Sequence, residues 1–311
     1  MSATPRLTVG LPVYNGEKYL AESLDALLGQ SYAEFELVIS DNASTDGTAD
    51  ICRQYEKQDS RIRYFRQPHN LGLAPNVNFI IGQARGELYK EAAHDDLYAR
   101  DLLERCVEVL DEYPQVVLAH CWTARVDGSG AVTKAFEYPL TTAVPRAPDR
   151  FRSVLFDSGG DDDYGVIRIE VLRRTAMKES YHHADHTIIA ELALHGEFYQ
   201  VPDWLFFRRD HPGQSGRAPM RNRCANMDPR RANRLRHPVV RLYGEYVWAY
   251  IRAIRRAPLS PADRRECYRV LAQWFASRAR PNGAGELEPI PVDHPAISID
   301  SVVAGRERKP A

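Results

Sequence analysis

Two hydrophobic periods alternate along the first third of the chain. Short apolar runs at Leu7–Leu11, Phe35–Ser40, Ile62–Arg66, Leu88–Ala92 and Val116–Ala119 read as strands, the continuous ones buried on both faces. Between them the spacing switches to the helical period. Leu20, Leu24, Leu27 and Leu28 form a stripe within Tyr19–Leu28, and Val77, Ile80 and Ile81 form one within Ala74–Ala84. Further helices are predicted at Thr48–Gln58 and Leu102–Leu110. Strand–helix alternation of this kind predicts a mainly parallel, helix-covered sheet with right-handed crossovers.

Beyond Ala119 the pattern loosens. Gly128, Gly130, Pro139, Pro145 and Pro148 mark turns, and Gly159–Asp163 reads as a mobile loop. A helix returns at Asp185–Leu194, then a strand pair over Tyr199–Phe207 interrupted at Pro202. Pro238–Ala257 is amphipathic, and Ser260-Pro261 opens a second helix with Ser as cap and Pro at the first helical position. The Pro/Gly-rich tail beyond Arg280 reads as extended.

Composition narrows the function classes. Lys plus Arg (41) balances Asp plus Glu (42), which gives no footprint for nucleic acid. Five scattered cysteines without a CxxC pair exclude a disulfide framework or zinc ribbon and fit a reducing compartment. The N-terminus lacks an apolar signal core and no apolar run reaches membrane-spanning length. The expectation is a cytoplasmic chain, at most peripheral to the inner face of a membrane.

Three polar loops follow three of the predicted strands, where open α/β sheets build their ligand crevice. The first, Pro12-Val13-Tyr14-Asn15, has a single following glycine, so it is no dinucleotide fingerprint. Pro12 fixes the chain while the Asn15 amide and nearby carbonyls can read a base edge. In the second, Asp41 at a strand end can accept from a base N–H or a ribose hydroxyl, and Asp46 either caps the next helix or contacts ligand. The third is His94-Asp95-Asp96. Adjacent carboxylates at a buried strand end repel unless a cation or donors neutralise them, and hard oxygen ligands suit Mg²⁺ or Mn²⁺ on phosphate oxygens.

Together with Asn70-Leu-Gly72 and the Leu97–Leu103 stretch, these motifs resemble family 2 glycosyltransferases of the GT-A fold, over roughly residues 5 to 215. The resemblance implies a nucleotide-sugar-dependent, inverting transferase using Mn²⁺ or Mg²⁺. It implies that Pro12, Tyr14, Asn15, Asp41 and Asn70 hold the nucleotide, with Asp41 reading the base. Asp95 would take the ribose side and Asp96 the metal. His94 departs from the family, whose acidic motif often has Asp there. The resemblance further implies that Asp185, at the start of a helix after the acceptor loop, is the catalytic base, although helix capping also explains the residue locally. In the basic loop after the last strand, His211 would be a further metal ligand or diphosphate contact, and Arg209 and Arg217 would neutralise the leaving group or stay solvated. Tyr164 is a weaker acceptor-side candidate. His182, His183 and His186 lack a second cluster to complete a zinc site and so line the acceptor side or the surface.

The resulting expectation is a GT-A domain at 1–217, with a nucleotide-sugar half to about residue 120 and an acceptor half beyond it. A helical extension and tail follow at 218–311. The partners would be a nucleoside-diphosphate sugar, with UDP favoured, and an acceptor hydroxyl. The C-terminal helices would pack on the domain, form a homodimer or touch a membrane. A nucleotidyltransferase is disfavoured because the first loop lacks its Gly-rich, basic character. An inactive nucleotide-sugar-binding scaffold of the same fold is the alternative.

Overall fold

The computed structural model describes residues 4–138, 140–157, 162–181, 183–214 and 219–278. The first unit alternates as predicted: β1 (Leu7–Val13), α1 (Leu20–Leu28), β2 (Phe35–Asp41), α2 (Thr48–Gln58), β3 (Ile62–Arg66), α3 (Leu73–Gln83) and β4 (Leu88–Glu91). The second is more irregular: β5 (Leu97–Tyr98), α4 (Leu102–Glu112), β6 (Val116–Val126), β7 (Val132–Ala135), α5 (Ala147–Phe156), β8 (Val166–Arg168), α6 (Ile169–Leu172), α7 (Ala184–His195) and β9 (Glu197–Arg209). Helices α8 (Met220–Met227), α9 (Val239–Arg256) and α10 (Pro261–Arg278) complete it.

One sheet runs in the order β3-β2-β1-β4-β8-β6-β9-β5, with β7 on β6. β3, β2, β1 and β4 are mutually parallel, while β8 lies antiparallel to both β4 and β6. All seven residues of β1 are buried, which explains its unbroken apolar character. Val13 pairs with Asp41 and Asp41 with Arg66, so β1, β2 and β3 end level with one another. β4 leaves the same edge, with the Ala92 N–H donating to the Gly10 carbonyl at 2.8 Å. All three polar loops therefore emerge at one edge, beside the point where strand direction reverses.

Two sequence expectations are corrected. The strand pair over Tyr199–Phe207 is a single strand, β9, parallel to β6. Between the pairings of Cys121 with Val201 and Trp122 with Trp204, Pro202 and Asp203 stand out of register, where a missing N–H costs no ladder bond. The turn region around Pro145 and Pro148 contains α5, because Pro148 occupies the first turn, whose N–H groups have no helical partner anyway. Of the expected mobile loop, Gly159–Asp163, residues 159–161 lie outside the described residues, as does the whole of the expected tail beyond Arg280. α9 and α10 bury Tyr250, Ile254, Leu271 and Trp274 against Phe151 of α5 and Leu194 of α7. The five cysteines are buried, and none forms a disulfide.

Candidate functional site

The first two loops are laced together by short polar side chains. Asn15 sits in the left-handed region (φ 52°), its N–H donating to Ser44 Oγ at 2.9 Å and its Oδ1 accepting from the Thr45 N–H at 2.8 Å. The Gly16 N–H donates to Thr48 Oγ1 at 2.8 Å. Asp46 accepts from the N–H and hydroxyl of Thr48 and from the Glu17 N–H, so it is both a local cap and a clasp between loops. Burial acts to raise the Asp46 carboxyl, but these bonds outweigh it and hold the group below its ordinary range. Pro12 is buried at the end of β1, and Tyr14 beyond it is 44% exposed.

Asp41 is fully buried at the end of β2. Its Oδ1 accepts from the Ser44 N–H at 2.8 Å, and its Oδ2 faces the Tyr64 hydroxyl at 2.9 Å and the Arg66 guanidinium at 3.3 Å. Burial and this carboxylate push the Tyr64 phenol well up, which keeps it protonated as a donor. Asn42 accepts from the Leu71 N–H and donates to Asn70 Oδ1 and the Gly72 carbonyl, shaping the Asn70–Gly72 turn. Gly72 (φ 86°) is obligatory there, since an added Cβ would lie 2.5 Å from the Met227 carbonyl oxygen.

The acidic pair divides its work. Asp95 Oδ2 lies 2.8 Å from His211 Nε2, both side chains only partly buried. Asp96 is buried, and its Oδ1 accepts from the Arg209 N–H at 2.8 Å. Arg209 does not reach outward to a leaving group. Its side chain is 1% exposed, pairs with Glu22 at 2.7 Å, and donates to the carbonyl of Asp95 at 2.8 Å and, at longer range, to those of Asp127 and Gly128. It clamps the acidic loop to the end of β9. Burial, helped by His211 and opposed by Asp95, holds the His94 imidazole below its ordinary range. Arg217 lies outside the described residues.

On the acceptor side, Asp185 sits exposed in the first turn of α7, after His183 in the left-handed region (φ 59°), and accepts from the His186 N–H at 3.1 Å. Desolvation by the surrounding protein opposes its ionisation even though the residue keeps access to solvent, but the charges of His186, Lys178 and His183 outweigh it and hold the carboxyl below the ordinary range. Lys178 is buried between Glu91, at 3.3 Å, and Asp163, at 3.4 Å. With two carboxylates it stays protonated against the pull of burial, whereas at Glu91, which shares that cation, burial wins and raises the carboxyl. This triad ties the end of β4 to the segment entering α7. Donor atoms of His183, Asp185 and His186 fall within 4.8 Å of one another, while His182 is outside the described residues. Tyr164 packs on Phe206 at 4.9 Å between ring centroids, and its carbonyl accepts from the buried Lys90.

Sequence reasoning named Asp41, Asp95, His211 and Asp185 as candidates but not their contacts Tyr64, Arg66 and Lys178, nor Glu22 and Glu91. For Glu91, a carboxylate ending the buried strand β4 was the available signal.

With this geometry in place, comparison with known proteins defines the class. Residues 8–174 match the profile of Glycosyl transferase family 2, and the chain belongs to that family. It is 37% identical over 114 residues to EpsE of Bacillus subtilis (strain 168), a protein named as a glycosyltransferase, covering 36% of this chain and 41% of EpsE. It is 32% identical over 106 residues to glycosyltransferase GlyG of Streptococcus pneumoniae, covering 34% and 35% of the two chains. The chain thus spans less than half the length of these relatives. Residues 1–349 of S. aureus TarS, solved with UDP-GlcNAc, superpose with a TM-score of 0.62 at 19% identity, over 87% of this chain and 71% of that one. The mannosyltransferase PcManGT of Pyrobaculum calidifontis, solved with GDP-Man and Mn²⁺, gives 0.54 at 20% identity, over 91% and 77%. The fold is GT-A: a mixed, mostly parallel sheet covered by helices, with helices at the C-terminal end.

Proposed function

We propose that the chain transfers a sugar from a nucleoside-diphosphate donor to an acceptor hydroxyl with inversion, in polysaccharide, glycolipid or glycoside synthesis. The observation that carries this is the Asp95–His211 pair at the edge where the polar loops leave β1, β2 and β4. Asp41, with the first loop and the Asn70–Gly72 turn, would hold the nucleotide. A UDP donor is favoured by TarS and a GDP donor by PcManGT. The reading retains residues 1–217 as the transferase domain and 218–311 as its extension.

One carboxylate oxygen and one imidazole nitrogen 2.8 Å apart are close to the spacing, about 3 Å, of neighbouring ligands around an octahedral ion with ~2.1 Å bonds. The donor set suits Mn²⁺ better than Mg²⁺, which prefers oxygen alone. We therefore assign the cation to Asp95 and His211, not to Asp96, whose Oδ1 is committed to the Arg209 N–H. When bound, the cation would neutralise charge developing on the departing diphosphate. Asp185, kept ionised by His183, His186 and Lys178, would accept the acceptor's proton as the hydroxyl attacks.

The test is nucleoside-diphosphate release from UDP-, GDP- and dTDP-sugars with mixed hydroxyl acceptors, in Mn²⁺ or EDTA. One donor should turn over, EDTA should abolish turnover, and Asp185→Asn should lower it by about 10²–10⁴. Metal-dependent binding without turnover of any donor would favour the inactive scaffold.

A further inference from the structure

The segment from Pro219 to Trp248 is not used by this site, and two of its features are unusual. Arg230, Arg231, Arg236 and His237 line an open cavity of about 520 Å³ together with Asp228. The segment holds seven arginines against only Asp228 and Glu245. Both acids are already engaged, Asp228 by Arg230 at 2.7 Å and Glu245 by Arg231 and Arg241. Beside the cavity lies an apolar surface. Leu235 is 94% exposed, Val240 83%, Tyr243 51% and Trp248 47%. Among the described residues, six large hydrophobic side chains are exposed, and all but Tyr14 fall between Leu235 and Trp248. On α9, Leu242, Ala249, Tyr250 and Ile254 face the core, whereas Val240, Tyr243 and Trp248 face away, with Arg255 stacked 5.1 Å from the Trp248 ring.

A second copy of the chain would cover this surface poorly. A two-fold contact sets a patch on itself, and here it would bring arginines of one sign together. Basic residues rimming exposed aliphatic and aromatic side chains are instead the composition of a helix lying in the interface of an anionic bilayer. No helix among the described residues is long and apolar enough to cross a membrane, so contact would be peripheral.

We propose that this segment docks the protein on an anionic phospholipid surface. Its arginine-lined cavity takes a phosphate headgroup, and Leu235, Val240, Tyr243 and Trp248 enter the headgroup–acyl boundary. The segment abuts both halves of the candidate site. Gly72 of the nucleotide loop lies under Met227, Arg231 donates to Ser180 Oγ at 2.9 Å, and Arg252, one turn beyond the segment on α9, pairs with Glu179 at 2.7 Å ahead of α7. If the proposed transferase activity holds, docking presents the site to acceptors anchored in the same membrane. The docking itself does not depend on that activity.

The experiment is co-sedimentation of the full chain with phosphatidylcholine vesicles, with and without about one-third phosphatidylglycerol. Wild type should bind the anionic vesicles at least ~10-fold better and lose that binding at high salt. Val240→Glu with Tyr243→Glu, and separately Arg230→Ala with Arg236→Ala, should each lower binding ~10-fold at unchanged melting temperature and nucleotide binding. Equal or absent binding to the two vesicle types overturns the proposal. So does a concentration-dependent dimer that Val240→Glu dissociates, which would assign the face to self-association.

Discussion

Asp95 and Asp96 are neighbours in sequence with opposite duties. The first shares a partly open site with His211, and the second is buried against the backbone of Arg209. Asp95→Asn should therefore weaken Mn²⁺ binding at least ~10-fold, measured by titration, with little change in melting temperature. Asp96→Ala should do the reverse, leaving the Arg209 N–H unsatisfied at a cost of about 1–3 kcal/mol. As the proposed base, Asp185 adds a pH dependence of its own. Its depressed carboxyl is ionised throughout the neutral range, and its contribution to activity is lost only as pH falls through that depressed value. The ratio of wild-type kcat to that of Asp185→Asn should hold level down to below about 3.9, the ordinary aspartate value, wherever the fold survives, since loss of the cation from His211 on acidification affects both proteins alike. These residues drew notice in the sequence because Asp95 and Asp96 lie in the loop that follows β4 and Asp185 opens α7. Their partners were not, since Tyr64 is 23 positions from Asp41, Lys178 is 87 from Glu91 and Arg209 is 187 from Glu22.

The first four strands and their helices announce themselves through period, because each strand is buried and each helix shows one face to the sheet. β5 and β8 are two and three residues long, too short for any period, and exist because β9 and β4 supply their ladders. α5 was hidden by its own proline. Glycines separate local conformation from packing. Gly72 needs φ 86° and abuts the Met227 carbonyl, whereas Gly82, within α3, has nothing within 4 Å of an added Cβ. Thermal unfolding should show Gly72→Ala destabilising by at least about 1 kcal/mol and Gly82→Ala stabilising by about 0.5–1 kcal/mol.

At the scale of the molecule, the C-terminal helices complete a core with α7, the helix that presents Asp185. Trp274 packs among Tyr246, Tyr250 and Phe275 with 7% exposure, and Trp274→Ala should cost about 3–5 kcal/mol. Loss of that packing should lower the melting temperature without splitting the transition. The family was legible from the motifs alone. That Asp96 is the carboxylate turned inward was not, because only the fold reveals it. The central claim is that loops from β1, β2 and β4 form one cation-assisted nucleotide site. Its most direct test is calorimetric titration of UDP, GDP and dTDP into wild type and Asp95→Asn, with Mn²⁺ and with EDTA. One nucleotide should bind wild type in Mn²⁺ and lose at least ~10-fold affinity in EDTA or in Asp95→Asn. Equal affinity in all three conditions, or no binding of any of the three, would contradict the account.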